Sequence, residues 1–330
     1  MRKFFAAISL LLVFTIFITL AGCSGETRTD NSDMLPQDAA GDVIKVGFSQ
    51  TGNQVGWRLA QTNSILSEAE ARGYQVVYTD AQENTQQQIE DVKYIVSQGV
   101  DYLIFDPRVY EASAEALEVA KEAGVPVIVV DREVQGVAGT DFVTMIGPDI
   151  YWEGRAIAEW LRTACGGQAR IVEITGTPGS SAMIDRQKGF MSVVDEEPGM
   201  VVVASVSGNF IREEAQKAMA GIIESIPGQF DTVFVHNDDM AIGVMQALKA
   251  AGITPGKDVR VIGIDGQKEA VQAIIDGEMA CTVTCSPYYG PLVFDTIEKL
   301  ARGEDVPREI VMPDYVIDSV NAPEELEKAF

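Results

Sequence analysis

From residue 43 onward, short runs rich in valine and isoleucine alternate with stretches whose apolar residues recur at helical spacing. The runs VIKVGFS (43–49), YQVVYT (74–79), DYLIFD (101–106), PVIVVD (126–131) and FVTMIG (142–147) predict five strands. ARIVEIT (169–175), MVVVASV (200–206), DTVFVHN (231–237), VRVIGID (259–265) and ACTVTC (280–285) predict five more. Helices are predicted between them over 56–72, 86–98, 113–123, 151–165, 213–226 and 239–251. Such continuous apolar runs suit parallel strands covered by helices on both faces. Gly73, Gly99, Gly124 and Gly252 follow helices, where a left-handed cap favours glycine. The alternation predicts a doubly wound α/β fold. Its restart near residue 150 predicts two Rossmann-like lobes with parallel sheets, joined near 147–150, with a ligand cleft between them.

In open α/β sheets, ligands sit outside the carboxyl ends of the strands. There the sequence places Ser49-Gln50, with Trp57-Arg58 in the following loop, then Asp106-Pro107-Arg108 and Asp131-Arg132. The second half adds Asp185-Arg186, Asn209-Phe210-Ile211-Arg212, His236-Asn237-Asp238-Asp239 and Asp265-Gly266. This chemistry suits a neutral polyol. Carboxylates accept from adjacent hydroxyls, the arginine fork donates in a fixed plane, and asparagine does both. Aromatic faces can cover the C–H side of a sugar ring. The same residue types also cap helices and make turns. Asp106, Asp149 and Asp239 can be read that way, Trp57 as a core residue, and the two Asp-Arg pairs as structural ion pairs.

Residues 1–22 change the picture. Arg2 and Lys3 precede an apolar stretch from Phe4 to Leu20, followed by Ala21, Gly22 and Cys23. Leu20-Ala21-Gly22-Cys23 resembles the lipobox of bacterial lipoproteins. That resemblance implies cleavage before Cys23, lipidation of Cys23, and a domain working outside the cytoplasm on a tether. An uncleaved membrane anchor is the alternative, and it leaves the domain on the same side. Residues 23–42 are then the lipidated cysteine and a flexible linker, since 24–41 are polar and without period. Net charge is −24, with 25 Lys+Arg against 49 Asp+Glu. Such a surface excludes nucleic acid as a partner and is repelled by anionic membranes, so contact with the membrane is expected through the lipid alone. Besides Cys23 there are Cys165, Cys281 and Cys285. Cys281 and Cys285 on one strand would lie about 13 Å apart, too far to bridge, and free thiols are expected.

At its strand ends the chain resembles periplasmic sugar-binding proteins of the ribose and galactose type, the substrate-capturing components of ABC transporters. The segments VGFSQ…GWR, VPVIVVDRE, TGTPGSSAMIDRQKGF, SGNFIR, HNDDMAIG and GIDG carry the resemblance, which is greatest to the galactofuranose-binding branch. It implies the type I periplasmic binding protein fold, hinged closure on one monosaccharide, and a monomer that hands its sugar to a permease and ATPase. It implies ligand contacts at Gln50, Trp57, Arg58, Asp131, Arg132, Arg186, Phe210, Asn237, Asp265 and the position of Cys285. A thiol at Cys285 departs from the polar residue of relatives, with Ser286 a substitute. It also implies discontinuous lobes: 43–147 plus about 288–303, and 148–285 plus about 306–330.

No cofactor or metal is expected, and no enzyme activity. His236, the single histidine, reads as structural. GITPGKD (252–258) is one residue short of a phosphate-binding loop and stands between helix and strand in the wrong order. The competing reading within the same fold is a receptor that passes a sugar or furanosyl signal to a sensor kinase or chemoreceptor.

Overall fold

The computed structural model describes residues 43–53 and 55–330. The leader, the lipidation of Cys23 and the linker lie outside the described residues. No described helix is long and apolar enough to cross a membrane.

The first lobe is laid down as β1 (Lys45–Gln50), α1 (Gly56–Arg72), β2 (Gln75–Asp80), α2 (Thr85–Ser97), β3 (Tyr102–Phe105), α3 (Ser113–Glu122), β4 (Val127–Val130) and β5 (Thr144–Pro148). The second follows as α4 (Ile150–Cys165), β6 (Ala169–Thr175), α5 (Ser181–Val194), β7 (Met200–Ser207), α6 (Arg212–Ser225), β8 (Thr232–Val235), α7 (Asp238–Ala250), β9 (Arg260–Asp265), α8 (Lys268–Ile275) and β10 (Cys281–Thr284). The chain closes with α9 (Gly290–Ala301), β11 (Glu309–Met312), β12 (Val316–Asp318) and α10 (Ala322–Glu325). One sheet has the order β11-β5-β4-β3-β1-β2 and is parallel throughout. The other has the order β12-β10-β9-β8-β6-β7, with β12 alone antiparallel.

Central strands are buried on both faces because helices cover both: every residue of β4 (VIVV) and β8 (TVFV) is buried. Helix ends follow local chemistry. Asn84, Asp149, Ser180 and Asn237 each accept a hydrogen bond from a first-turn amide. Gly73 closes α1 in the left-handed region at φ 79°.

The chain passes between the lobes three times, after β5, after β10 and between β11 and β12. Helix α9 returns to the first lobe. Phe294 packs on Tyr74 with ring centroids 4.7 Å apart, the Gly290 amide donates to Ser64 Oγ at 2.9 Å, and Arg72 pairs with Asp295. The expected assignment of everything from 306 onward to the second lobe differs from the structure at one strand. β11 extends the first sheet beside β5, and only β12 joins the second. Both are short, partly exposed edge strands without the apolar run that marks the others.

Cys165, Cys281 and Cys285 are unbridged. β10 ends at Thr284, so Cys285 lies just beyond the strand once read to include it.

Candidate functional site

A cleft holding about 530 Å³ of empty space, open solvent at its mouth included, lies between the carboxyl ends of the two sheets. Nine of the ten expected ligand contacts line it: Trp57, Arg58, Asp131, Arg132, Arg186, Phe210, Asn237, Asp265 and Cys285. Gln50 does not. It is fully buried one layer below, donating to Gln61 Oε1 and Thr62 Oγ1, both at 3.0 Å, and accepting from the Thr51 amide at 2.8 Å. An amide side chain ending a central strand turns inward here because α1 offers it two partners.

The first-lobe wall is a charge network. Arg58 enters from the first turn of α1 and donates to Asp106 Oδ2 at 2.5 Å and Asp131 Oδ2 at 2.6 Å. Asp106 is therefore an anchor for Arg58 and not a helix cap. Arg132 Nε lies 3.6 Å from Asp131 Oδ2, and its Nη1 donates to the Arg108 carbonyl at 3.0 Å. Burial, then the charge of Arg58, brings the Arg132 pKa down to about 10. Burial pushes the Asp106 carboxyl up to about 7 against the pull of Arg58. Trp57 is both core and lining: its Nε1 donates to the Cys285 carbonyl at 2.7 Å, and its ring meets Tyr289 edge-on.

The second-lobe wall is built on one cation. Arg186, on α5, donates to Glu153 Oε2 at 2.7 Å and to the His236 carbonyl at 2.5 Å, and its Nη2 lies 3.7 Å from Asp265 Oδ1. Burial works against the Arg186 charge, but the acids beside it, Glu153 first and then Asp265, outweigh it and raise its pKa. Burial lifts Glu153, and lifts Asp265 well above the usual carboxylate range; Asp238 is pushed up to about 7 by the same cause. Cys285 is likewise raised, first by burial and then by Glu153, so it is a thiol rather than a thiolate. His236 is a buried structural group facing Glu173 at 3.1 Å. Asp185 leaves the site and pairs with Lys188; Asp239 pairs with Arg212.

Phe210 joins the walls. Its ring lies 5.3 Å from Arg132 Cζ of the other lobe and 5.9 Å from Arg186 Cζ, a cation–π arrangement. Gly176 makes room for it, because a Cβ there would stand 1.9 Å from the ring. Gly154 does the same for Arg186: helices α4 and α5 cross so closely that a Cβ would stand 2.0 Å from the Arg186 carbonyl.

The backbone also marks this site. Among the described residues, six non-glycine residues have positive φ, and five of them, Glu83, Asp131, Asn209, Phe210 and Asp265, line the cleft. Such conformations persist where the surroundings enforce them and cluster at ligand sites. The lining residues Val55, Glu83, Thr177, Ala182, Asn209 and Ile211 were not among the expected contacts. Asn209 adjoins Phe210 in a segment already singled out, whereas Glu83 follows a strand with no distinctive wording.

Once partners among the described residues are assigned, Asn237 Nδ2 and Arg132 and Arg186 Nη2 remain as donors, and Asp131 Oδ1 and Asp265 as acceptors. Trp57 and Phe210 offer apolar faces. This inventory suits an uncharged polyhydroxy ligand. There is no group of acids, histidines or cysteines suited to a metal among the described residues.

Residues 46–305 match the periplasmic binding protein domain. The galactofuranose-binding protein YtfQ of Escherichia coli is 36% identical over 291 residues, covering 86% of this chain and 91% of that protein. The arabinose ABC transporter binding protein of Shewanella sp. ANA-3, solved with α- and β-L-arabinofuranose, superposes with a TM-score of 0.83 at 37% identity, over 86% of this chain and 95% of that one. The fructose-binding periplasmic domain of the hybrid two-component system BT1754 superposes with a TM-score of 0.80 at 28% identity, over 86% and 94%. These relatives bind and do not catalyse, and the cleft has the two-lobe geometry of their fold. The chain belongs to the periplasmic binding protein family, as a binding protein and not an enzyme.

Proposed function

We propose that this protein is an extracytoplasmic solute receptor, lipid-anchored at Cys23, that captures one monosaccharide as a furanose and delivers it to an ABC importer. The observation that carries the reading is the pairing of free donors at Arg132, Arg186 and Asn237 with free acceptors at Asp131 and Asp265, under the Phe210 ring. A sugar presents alternating hydroxyls and one C–H face, which this set can satisfy together. The furanose preference is supported by relatives named for galactofuranose and arabinofuranose. Closure is favoured by the sugar to the extent that it binds the shut cleft more tightly than the open one.

Calorimetry of the purified mature chain against galactofuranose, L-arabinose, D-fructose, D-ribose and D-galactose tests this. One sugar binding at micromolar affinity or tighter, about −8 kcal/mol, is expected, and silence across the panel from folded protein overturns it. The kinship with a two-component receptor domain supports a second reading, delivery to a sensor kinase. Co-purification of the loaded protein with a permease, or with a kinase, separates the two.

A further inference from the structure

The two lobes also touch each other directly at the mouth of the cleft. In the loop after β3, the Tyr110 amide donates to the Gly179 carbonyl at 3.0 Å. In the turn after β4, the Glu133 amide donates to Ser181 Oγ at 2.9 Å. Both donors belong to the first lobe and both acceptors to the stretch 179–181 that opens α5 in the second. Neither amide has another acceptor among the described residues.

Each side is fixed within its own lobe. The Tyr110 carbonyl accepts from Ser113 Oγ at 2.6 Å and from the Gln135 amide at 3.3 Å. Ser180 Oγ donates to the Thr177 carbonyl at 2.8 Å and caps α5. Gly179 takes φ 83°, and a Cβ there would lie 3.9 Å from Val109 of the other lobe. The contacts are also tied to the ligand site through the chain itself. Glu133 follows Arg132, while Ser181 begins the helix that carries Arg186 and precedes the lining residue Ala182.

We propose that residues 179–181 form a latch, with Ser181 as the positioning residue that holds the cleft shut and slows release of its ligand. This rests on the proposed capture between two lobes. When the lobes part, both amides return to water. When they meet, an amide without an acceptor is stripped of water with no replacement, which opposes closure. The Ser181 hydroxyl removes that penalty at Glu133, and the two bonds form together because both acceptors lie on one short rigid segment.

Amide hydrogen exchange on the full mature chain, without sugar, tests the latch. Ser181→Ala is expected to speed exchange at Glu133 and also at Tyr110, each about fivefold, with Val129 in β4 unchanged. Ser181→Thr keeps the hydroxyl and restores both rates. Ser181→Cys, similar in volume but a weak acceptor, repeats the loss if the alanine variant does not fold. A role confined to starting α5 would speed amides within that helix and leave Tyr110 alone. With L-arabinose as probe, the dissociation rate rises by the same factor while the association rate holds. Unaltered Tyr110 and Glu133 exchange in the folded variants overturns the proposal. A chain that binds no sugar fails the functional reading instead, and the sugar-free exchange still decides the latch.

Discussion

The two walls of the cleft come from the same strand–helix units and solve the burial of charge in opposite ways. The first sets two guanidiniums, Arg58 and Arg132, against Asp106 and Asp131. Crowded cations there lower the pKa of Arg132 once burial has weakened it. The second sets one guanidinium, Arg186, among Glu153, Asp265 and Asp238. Crowded acids there have their pKa values raised, with burial the larger cause. Closure therefore brings a wall of two paired cations against a wall of one cation among several acids, with Phe210 of one under Arg132 of the other. Donors and acceptors set on both walls restrict how a polyol can lie between them.

The largest test of this contrast sets Arg186→Ala against Arg132→Ala. Losing Arg186 strands Glu153 and Asp265 in the interior, and removal of one partner from a buried pair costs about 3–5 kcal/mol. Denaturant titration should show that loss together with lost sugar binding. Arg132→Ala leaves Arg58 paired with both aspartates, so binding should fall at least about a hundredfold with stability changed by about 1 kcal/mol or less. Equal destabilisation in the two variants would remove the distinction between the walls.

A smaller effect is expected at their junction. Gly176→Ala drives a methyl into the Phe210 ring and should weaken binding about tenfold, since overpacking costs about 1–3 kcal/mol. Calorimetry reads the affinity, and an unchanged value would show that the ring can yield without loss.

The acid-rich side should also give the domain a pH signature. Asp314, in the crossing between β11 and β12, is pushed up to about 8, first by burial and then by Glu153, while Thr284 donates to it at 2.9 Å. The unfolded carboxyl titrates near about 4, so the folded state binds the extra proton between these values. The stability this contributes is fully present below the unfolded pKa and is lost as pH rises through the folded one. Melting temperature should fall by a few degrees between pH 5 and pH 8, and Asp314→Asn should flatten that slope. An identical slope in the variant would place the titration elsewhere. The smallest change is expected from Cys285→Ser, within about 1 kcal/mol of stability but with an altered ranking of sugars on the panel. An unaltered ranking would mean that the thiol lines the cleft without meeting the ligand.

Most of the scaffold was readable because a strand buried on both faces must be an unbroken apolar run. VIVV and TVFV announce themselves in any context. Strands β11 and β12 did not, because EIVM and VID are edge segments whose pairing is decided by the distant strands β5 and β10. In the site, the Arg and Asp positions were legible from their place after strands. Which way each side chain turned was not. Gln50 faces inward because Gln61 and Thr62 meet it there, and Asp106 serves Arg58 because α1 brings the two together. The positive φ of Phe210 has no sequence signature either, since glycine, asparagine or aspartate would be the expected residue there.

The placement of β11 and β12 bears on when the protein can fold. A polypeptide emerges amino end first, yet one of the two outer strands of each sheet comes from residues 309–318, and Glu309 pairs with Met145. Neither lobe is complete until nearly the whole chain has been synthesised, and pairings of such separation form slowly. Until then β5 and β10 are open edges, able to template pairing with another chain. Until residues 309–318 have emerged, the nascent molecule therefore depends on whatever shields its unpaired strands.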